Sequence, residues 1–329
     1  MMCGNRLKGV QPPYSANKIN GGIKCPVKVF AKVLSSPKNI LNLIGNTPIV
    51  KLKFGSISVF AKMEFLNPSG SIKDRIAKEI IEAAEKSIRI KNGIIEPTSG
   101  NTGISLAFIS ALKGYRFIAV MPEFVSKERK AIIEHYGGKV IITPEKLGMT
   151  GAVEKAKTLA RKNNLFMPNQ FENKYNIIAH EKTGLEIKKQ IKADVFVAGV
   201  GTGGTLIGIA RVLKPNGTKI VAVEPKTSPL ISKGKPGKHK IEGIGEDFIP
   251  EIIKKNVSLI DEVVTVSDWQ AIKMAKKLGE MGFFVGISSG ANVFAAIKIA
   301  KKLRNKNIVT ILPDSADRYY STKLFGKGK

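Results

Sequence analysis

The chain has 329 residues, of which 43% are hydrophobic and 24% are charged, and this length predicts about two domains with a sizeable core. Its two cysteines and three histidines are too few and too widely spaced to predict a disulfide framework or a metal site. The 54 basic and 26 acidic residues give a net charge of +28, which makes nucleic-acid binding one function to weigh against the motifs.

Residues 1–38 form a basic N-terminal extension with seven Lys or Arg and no acidic residue. This segment is predicted to be either a disordered or loosely docked extension or a cleavable targeting peptide, since targeting peptides are basic and poor in acids. We expect a cytoplasmic protein, with a plastid or mitochondrion as the alternative if residues 1–38 are a transit peptide. The long uncharged stretches are interrupted by Gly, Ser and Asn, so no membrane association is predicted.

From Ile40 onward, short β-branched runs alternate with helical patterns. The predicted strands are Ser58–Ala61, Gly93–Ile95, Phe117–Met121, Lys139–Ile142, Val195–Ala198, Lys219–Val223, Val263–Val266 and Ile308–Leu312. Apolar residues spaced for one buried helix face lie between them, as at Ile76, Ile80, Ile81 and Ala84. The alternation predicts an α/β fold with parallel-type sheets and helices on both faces. The predicted parts are the extension 1–38, an N-terminal α/β domain 39–180, a C-terminal α/β domain 181–320 and a tail 321–329.

The first of four loops that open helices is residues 68–75, which places Lys73 in the first turn of a helix. The partial positive charge of a helix N-terminus disfavours an ammonium group and lowers its pKa. A lysine with a lowered pKa can form a Schiff base with a carbonyl group. Taken alone, however, the pattern favours a solvated surface lysine.

The second loop, residues 96–103, precedes a helix predicted over Ile104–Leu112. Its hydroxyls, its amide and the free backbone N–H groups at the helix start could bind a carboxylate or a phosphate. An ordinary helix N-cap is the alternative.

The third loop, residues 199–205, follows a predicted strand and opens a helix over Leu206–Leu213. Its glycines, its two threonines and the helix N-terminus predict a phosphate site. Gly199, Gly201 and Gly204 also match GxGxxG, with Glu224 after the next strand, which is a dinucleotide fingerprint. NAD binding therefore stays open at this point.

The fourth loop, residues 286–291, follows a strand-like Phe283–Val285 and precedes a helix from Asn292. Either Ser288 or Ser289 could cap that helix, or could hydrogen-bond to a ring nitrogen of a ligand.

In order and spacing, the four loops together resemble the motifs of the pyridoxal-phosphate (PLP) β-family, which includes cysteine synthases and cystathionine β-synthases. The resemblance runs from residues 43–48 to residues 318–322, nearly the whole chain beyond the extension, and includes residues 223–225 and 239–245. It implies the two-domain, tryptophan-synthase-β-like fold of type II with the active site between the domains. NAD binding is disfavoured, because GxGxxG alone is a short pattern.

The resemblance also implies a role for each matching residue. Lys73 would hold PLP as a Schiff base and move the proton at Cα, and Asn101 would contact the 3′-oxygen of the cofactor. Ser288 would face the pyridine nitrogen, with Ser289 the less favoured choice. The implied phosphate-binding residues are Gly201, Thr202, Gly203, Gly204 and Thr205. The implied substrate-carboxylate residues are Thr98, Ser99, Gly100, Thr102 and Gln170.

A neutral serine beside the pyridine nitrogen favours β-elimination over a long-lived carbanion. The expected reaction is O-acetyl-L-serine plus hydrogen sulfide giving L-cysteine and acetate through an α-aminoacrylate intermediate, with ping-pong kinetics. Glu246 and Asp247 stand where sulfhydrylases usually have small residues, which is closer to cystathionine β-synthases. The alternative is therefore the condensation of serine, or an activated serine, with homocysteine.

The resemblance implies a homodimer and raises a complex with serine acetyltransferase. Three other function classes compete with this hypothesis: a nucleic-acid-binding protein, a catalytically silent scaffold and an NAD-dependent oxidoreductase. Aromatic residues make up only 7% of the chain, so the basic charge predicts a solvated lysine-rich surface and no specific nucleic acid. The intact Lys73, Asn101, Gly201 and Ser288 argue against a silent scaffold.

Overall fold

The computed structural model describes residues 39–87 and 89–326, so the predicted extension and the end of the predicted tail lie outside it. The strands are β1 (Ile49–Phe54), β2 (Ile57–Lys62), β3 (Ile94–Pro97), β4 (Phe117–Pro122), β5 (Lys139–Thr143), β6 (Val195–Gly199), β7 (Lys219–Pro225), β8 (Glu262–Val266) and β9 (Ile308–Ile311). The helices are α1 (Lys73–Lys86), α2 (Asn101–Lys113), α3 (Lys127–His135), α4 (Gly148–Asn163), α5 (Lys174–Gln190), α6 (Gly204–Leu213), α7 (Leu230–Lys233), α8 (Glu251–Lys254), α9 (Asp268–Glu280) and α10 (Ile287–Lys302). None of the helices in the described ranges is long and apolar enough to span a bilayer.

The strands form two sheets. The larger has the order β1-β2-β9-β6-β7-β8 and the smaller has the order β3-β4-β5. Every pairing is parallel except that of β1 with β2, which is an antiparallel hairpin joined through Gly55. Parallel strands need helical crossovers, which explains why helices separate the later strands along the chain.

The larger sheet buries apolar side chains on both faces. On β6, Val195 and Val197 join a cluster that contains residues of α9 and α10. Phe196 and Ala198, which point to the opposite face, join a second cluster with residues of α5 and α6. Continuous apolar runs such as 195–198 are typical of parallel strands covered on both sides.

The predicted α/β class is confirmed, and each predicted strand of the two sheets is present with bounds shifted by at most a few residues. Strand β1 was not predicted, although its Lys51 and Lys53 alternate with apolar residues as in an edge strand with one buried face. Its antiparallel pairing is the one exception, among the described strands, to the predicted parallel-type sheets. The strand-like interpretation of Phe283–Val285 is wrong: this segment makes only an isolated bridge between Val285 and Ser315.

The division into domains at residues 180 and 181 stays a prediction. That point lies inside α5, which is continuous from Lys174 to Gln190. The hairpin of β1 and β2 precedes the division, yet it pairs through β9 with the strands of the later half.

Three helices begin earlier than predicted. Helix α2 begins at Asn101, three residues before its predicted start, and α6 begins at Gly204, two residues before its predicted start. Helix α10 begins at Ile287, so Ser288 and Ser289 lie in its first turn and not in a preceding loop. The first turn of a helix leaves backbone N–H groups without intrahelical partners, and those that no side chain or turn engages can bind anions.

Candidate active site

A cavity of about 730 Å³, open to solvent, lies where the loops after β3, β6 and β9 meet the first turns of α1 and α10. Ten of the predicted site residues line it: Lys73, Ser99, Asn101, Thr102, Gln170, Gly201, Thr202, Gly203, Thr205 and Ser288. Thr98, Gly100 and Gly204 were also predicted, but they lie behind this lining.

Lys73 is the first residue of α1, as predicted. The turn before it is fixed to the segment after β9, since the Ile72 N–H donates to the Pro313 carbonyl at 2.8 Å. Burial lowers the pKa of the Lys73 amine, and the carboxylates of Glu246 and Asp314 only partly oppose this shift. The amine is therefore more readily uncharged than that of a surface lysine, which is what a Schiff-base nucleophile requires.

Asn101 opens α2 at the cavity wall. Its Nδ2 donates to Asp314 Oδ2 at 2.7 Å, whereas its buried Oδ1 has no hydrogen-bond partner within residues 39–87 and 89–326. Asp314 also accepts from the Tyr319 hydroxyl at 2.7 Å. The amide of Asn101 is thus held in place at one end and available to a ligand at the other.

Thr98 supports the second loop from behind. Its Oγ1 accepts from the backbone N–H groups of Gly100 at 3.0 Å and Gly103 at 3.1 Å. Gly100 has φ of +142°, and a Cβ there would lie 1.9 Å from Arg129 Cδ, so only glycine fits. Both residues therefore shape the loop, and the hydroxyls that reach the cavity are those of Ser99 and Thr102.

Gln170 is attached to the same wall by its side chain. Thr102 Oγ1 donates to Gln170 Oε1 at 2.5 Å, and Gln170 Nε2 donates to the Pro97 carbonyl at 3.1 Å. Behind it, the buried Glu96 accepts from the backbone N–H groups of Asn169 and Gln170, each at 2.8 Å. Burial raises the pKa of Glu96 to about 8, although these two hydrogen bonds favour its charged form.

The glycine-rich loop between β6 and α6 provides a close-approach surface at a helix N-terminus. Gly203 has φ of +87°, which favours glycine, and a Cβ on Gly201 would lie 2.6 Å from the Gly243 carbonyl oxygen. The free N–H groups and the helix dipole at the start of α6 attract anions. Thr202 and Thr205 add two hydroxyls to this surface.

Two buried residues of α5, which the sequence did not reveal, support these threonines. Asn176 Nδ2 donates to Thr202 Oγ1 at 3.0 Å, and His180 Nε2 lies 3.1 Å from Thr205 Oγ1. Burial lowers the pKa of His180 well below its usual value, so the imidazole is neutral. Gly204 must lack a side chain, because a Cβ there would lie 1.8 Å from Asn176 Oδ1. The sequence signal that could have revealed Asn176 and His180 is a pair of polar residues spaced i and i+4 in an otherwise apolar stretch of the helix.

Ser288 reaches the cavity from the first turn of α10, whereas Ser289 does not line it. Ser289 is fully buried, and its Oγ has no partner among the residues that the structure describes. Asn292, one turn later, ties α10 to the glycine loop by accepting from the Gly199 N–H at 2.7 Å. Of the two serines, Ser288 is therefore the one placed for contact with a ligand.

Arg129 and Glu246 also line the cavity and were not predicted as site residues. Arg129 is almost fully buried, forms an ion pair with Glu242 and stacks 4.5 Å above the Tyr319 ring. Glu246 was singled out in the sequence only as a departure from a family pattern. Its position beside Lys73 gives the cavity a carboxyl group in addition to the amine.

No group of three or more His, Cys, Asp or Glu that could hold a metal ion occurs in the described part of the chain. The groups that line the cavity are one amine, one guanidinium, several hydroxyls and amides, a carboxyl group and an anion-binding helix start.

Comparison with known proteins identifies the ligand that this set of groups fits. A family model described as pyridoxal-phosphate dependent enzyme matches residues 40–314. The chain is 55% identical over 296 residues to cysteine synthase B of Campylobacter jejuni, covering 88% of this chain and 98% of that protein.

Two solved structures are similar over most of their length. The O-acetylserine dependent cystathionine β-synthase from Helicobacter pylori has a TM-score of 0.84 and 38% identity, covering 88% of this chain and 99% of that chain. The cysteine synthase (OASS) from Entamoeba histolytica has a TM-score of 0.82 and 38% identity, covering 95% of this chain and 96% of that chain.

The cavity fits pyridoxal phosphate on structural grounds as well. A phosphate fits the glycine surface at the start of α6, whose backbone packs so closely that a Cβ on Gly201 or Gly203 would collide with Gly243 or Ile253. The Lys73 amine can react with an aldehyde, and the unpartnered Oδ1 of Asn101 marks a polar position that awaits a ligand.

Proposed function

Because the chain belongs to the family of pyridoxal-phosphate-dependent enzymes, we infer that it converts O-acetyl-L-serine and hydrogen sulfide to L-cysteine and acetate. The family, the α/β fold, the cofactor and the class of cysteine synthase are those predicted from the sequence. The observation that carries the proposal within this chain is that Lys73, Asn101, the glycine loop and Ser288 line one cavity. The family match also decides between PLP and NAD at the glycine-rich loop.

Four groups hold the cofactor in this proposal. Lys73 would bind its aldehyde carbon, Asn101 its 3′-oxygen and Ser288 its pyridine nitrogen. Gly201, Thr202, Gly203 and Thr205 would hold its phosphate, with Gly204 behind them at the start of α6. When bound, the cofactor supplies a carbonyl group for the amino group of the substrate and a conjugated ring that withdraws electrons from Cα.

Lys73 moves the proton at Cα. Lys73 would take the Cα proton as acetate leaves Cβ, and would return a proton to Cα when sulfur has bonded to Cβ. The lowered pKa of the amine supports this role, because a lysine acts as a general base only when its amine is unprotonated. A neutral hydroxyl at Ser288 stabilises a charged pyridine nitrogen less than a carboxylate would, which favours early loss of the β-substituent.

The wall opposite the glycine loop binds the substrate carboxylate. Ser99 and Thr102 supply hydroxyls and Gln170 supplies its amide, while Thr98 and Gly100 hold the loop that carries them. Backbone N–H groups at the start of α2 add the positive end of a helix dipole. A carboxylate fits there without a salt bridge to a basic side chain.

The second candidate reaction is the condensation of serine, or an activated serine, with homocysteine. The observation that favours it is Glu246, which lines the cavity where a thiol acceptor would enter. The similar protein from Helicobacter pylori is named an O-acetylserine dependent cystathionine β-synthase, which supports the same alternative.

The protein acts on small molecules, and we further propose that it works in the cytoplasm as a homodimer and binds serine acetyltransferase. The two cysteines and the absence of a predicted disulfide framework suit a reducing compartment. An exposed aromatic cluster of Phe284, Tyr320 and Phe325, with ring centroids 4.8–6.2 Å apart, is a surface that a second copy could cover. Light scattering of the purified protein, alone and with serine acetyltransferase, tests both assemblies.

The reaction is tested on the purified protein with O-acetyl-L-serine, sulfide and added PLP. We expect a yellow protein that forms cysteine only when both substrates are present, and parallel double-reciprocal plots because the two substrates act in separate half-reactions. A colourless protein that takes up no PLP and forms no cysteine would overturn the proposal. Turnover of serine with homocysteine, but none with O-acetyl-L-serine and sulfide, would favour the second candidate.

A further inference from the structure

Glu246 stands in the wall between two cavities. It lines the main cavity with Lys73, Ser99 and Thr202, and it also lines a smaller one of about 270 Å³ together with Phe248 and Pro250. The loop that carries it is fixed to the glycine loop, since the Gly245 N–H donates to the Val200 carbonyl at 2.9 Å. Glu246 is therefore held in the lining of the cavity that contains the reactive amine.

Neighbouring ionisable groups leave the carboxyl of Glu246 available. Asp247 is exposed and accepts from Thr150 Oγ1 at 3.3 Å. Glu224, across the smaller cavity, is occupied by the backbone N–H groups of Ile231 and Ser232. Arg129 is paired with Glu242, and no hydrogen bond reaches the Glu246 carboxyl from residues 39–87 or 89–326.

The electrostatic setting gives this carboxyl an unusual basicity. Burial and the negative charge of Asp247 raise the pKa of Glu246 to about 7, and Lys73 partly offsets the shift. A carboxyl group with a pKa near the working pH can both accept and release a proton. An ordinary surface glutamate, with a pKa of about 4.3, is too weak a base to take a proton from a thiol efficiently.

We propose that Glu246 accepts the proton of an uncharged thiol acceptor, so that this site uses alkyl thiols as well as hydrosulfide. The proposal rests on the β-replacement proposed above and assigns its acceptor. Hydrosulfide reaches the cavity already ionised and needs no base. An alkyl thiol, with a pKa of about 8.5, is mostly protonated at neutral pH and must lose a proton as it reacts.

The proposed step requires only the thiol, the Glu246 carboxylate and the proton held by Lys73. A lone pair on sulfur forms the bond to Cβ, from which acetate has already left, and the S–H bond breaks as its proton passes to the Glu246 carboxylate. The electron pair that becomes available at Cα takes the proton held by Lys73. Glu246 then releases its proton to solvent through the open side of the cavity.

The two acceptors should respond to Glu246 in opposite directions. A thiol gains a base from the carboxylate, whereas anionic hydrosulfide is repelled by the same negative charge. The opposite signs separate a chemical role of Glu246 from a merely structural one, because a loss of structure would weaken the use of both acceptors.

The test compares Glu246→Gln with the wild-type holoenzyme at pH 8, using L-homocysteine and 2-mercaptoethanol as thiol probes and sulfide as the anionic probe. We expect kcat/KM to fall about 10–100-fold for both thiols and to rise about 2–5-fold for sulfide. Asp247→Asn removes a neighbouring exposed carboxylate of equal charge and serves as the matched control. It leaves the Glu246 base in place and should change kcat/KM for thiols and for sulfide much less than Glu246→Gln does, although loss of the Asp247 charge should shift the Glu246-dependent limb to lower pH.

The pH profile gives an independent readout. In the wild type, kcat/KM for a thiol should rise with pH near 7 as Glu246 ionises, and Glu246→Gln should lose this limb while keeping the one near the pKa of the thiol. Equal changes for thiols and sulfide, an Asp247→Asn effect as large as that of Glu246→Gln, or a wild type that uses no thiol would overturn the inference. A wild type inert toward sulfide and thiols alike would instead contradict the β-replacement itself.

Discussion

Lys73 and Arg75 lie two residues apart in the first turn of α1, yet their surroundings are opposite. The Arg75 guanidinium donates to both oxygens of Glu64, at 2.7 and 2.8 Å, and to both oxygens of Glu186, at 2.7 and 2.8 Å. Despite burial, these carboxylates raise the pKa of Arg75. The Lys73 amine has no such partner within hydrogen-bond distance in the described residues, and burial lowers its pKa.

The acidic residues show the same contrast. We call Lys62, Glu64, Arg75 and Glu186 the N-terminal ion cluster. Within it, the charges of Arg75 and Lys62 hold the pKa of Glu64 below its usual value although the carboxylate is fully buried. Glu246 faces the cavity without a strong partner, and its pKa is raised. Paired buried charges thus stabilise the fold, whereas unpaired ones are left reactive.

The largest effect is expected for Lys73→Ala. It removes the base that moves the Cα proton and the amine that holds the cofactor, so kcat should fall about 10³-fold or more and the yellow colour should be lost. The fold should persist, because Lys73 forms no ion pair whose removal would leave a buried charge. Steady-state kinetics, absorption and urea unfolding measure the three outcomes.

Lys86→Ala is the control, since Lys86 is exposed at the other end of the same helix. An activity of Lys73→Ala within about tenfold of that of the wild type would contradict the contrast between the two basic residues.

Arg75→Met should affect stability most. It leaves the carboxylate of Glu64 buried without its partner, and removal of one member of a buried ion pair typically costs about 3–5 kcal/mol. Arg211→Met, which removes an exposed pair with Glu181, should cost no more than about 1 kcal/mol. If urea unfolding shows a similar loss of unfolding free energy for Arg75→Met and Arg211→Met, the N-terminal ion cluster contributes no more to stability than an exposed ion pair does.

The paired carboxyl of Glu186 and the unpaired carboxyl of Glu246 should make the free energy of unfolding depend on pH in opposite directions. Hydrogen bonds and charges from Arg75 and Lys62 lower the pKa of Glu186 from 4.5 to about 2, despite the opposing effect of burial. Stabilisation by Glu186 is therefore complete above about pH 4.5 and is lost as pH falls toward 2, by roughly 3 kcal/mol in all. Glu246, whose pKa is raised to about 7, costs stability as pH rises from about 4.5 to 7.

Urea unfolding as a function of pH measures both slopes. Glu186→Gln should flatten the acid limb and Glu246→Gln should remove the loss toward neutral pH. If the acid limb of Glu186→Gln is as steep as that of the wild type, the stabilisation does not come from Glu186.

The smallest effect on activity is expected at Glu96, a buried carboxyl whose hydrogen bonds within the described residues all come from backbone N–H groups. In Glu96→Gln, an amide NH₂ replaces one of the two acceptors and faces a backbone N–H, which should loosen the loop that carries Gln170. We expect KM for O-acetyl-L-serine to rise about 3–10-fold, with kcat changed less than about 3-fold.

Glu172→Gln is the matched control, because Glu172 is exposed in the same loop and accepts only from the Asn169 side chain at 3.1 Å. A fall in kcat at constant KM would contradict a role of Glu96 in positioning the substrate-binding loop.

The sequence was sufficient where local patterns decide the structure. Continuous apolar runs on β6 and β7 are buried on both faces, so their strand character was readable without tertiary information. Glycines and hydroxyl residues before a helix are also a local signal, and they located Lys73, Asn101, Gly201 and Ser288 at the cavity. Their roles toward the cofactor stay predictions.

Structure was needed where long-range contacts decide. The pairing of Arg129 with Asp314 and Tyr319 joins residues about 190 positions apart, which no local pattern encodes. The support of Thr205 by His180 depends on how α5 packs against α6, with Gly204 and Gly208 allowing close approach. The raised pKa of Glu246 follows from burial beside the Asp247 charge, and burial is a property of the fold.

The most direct test of the account is to identify which lysine holds the cofactor. The holoenzyme is reduced with borohydride, which fixes a carbonyl cofactor on its lysine, and is then digested and mapped by mass spectrometry. The account predicts that the peptide containing Lys73 carries the added mass of the cofactor, and that Lys62, Lys78 and Lys86 remain unlabelled. Label on a different lysine, or no label on any peptide, would contradict it.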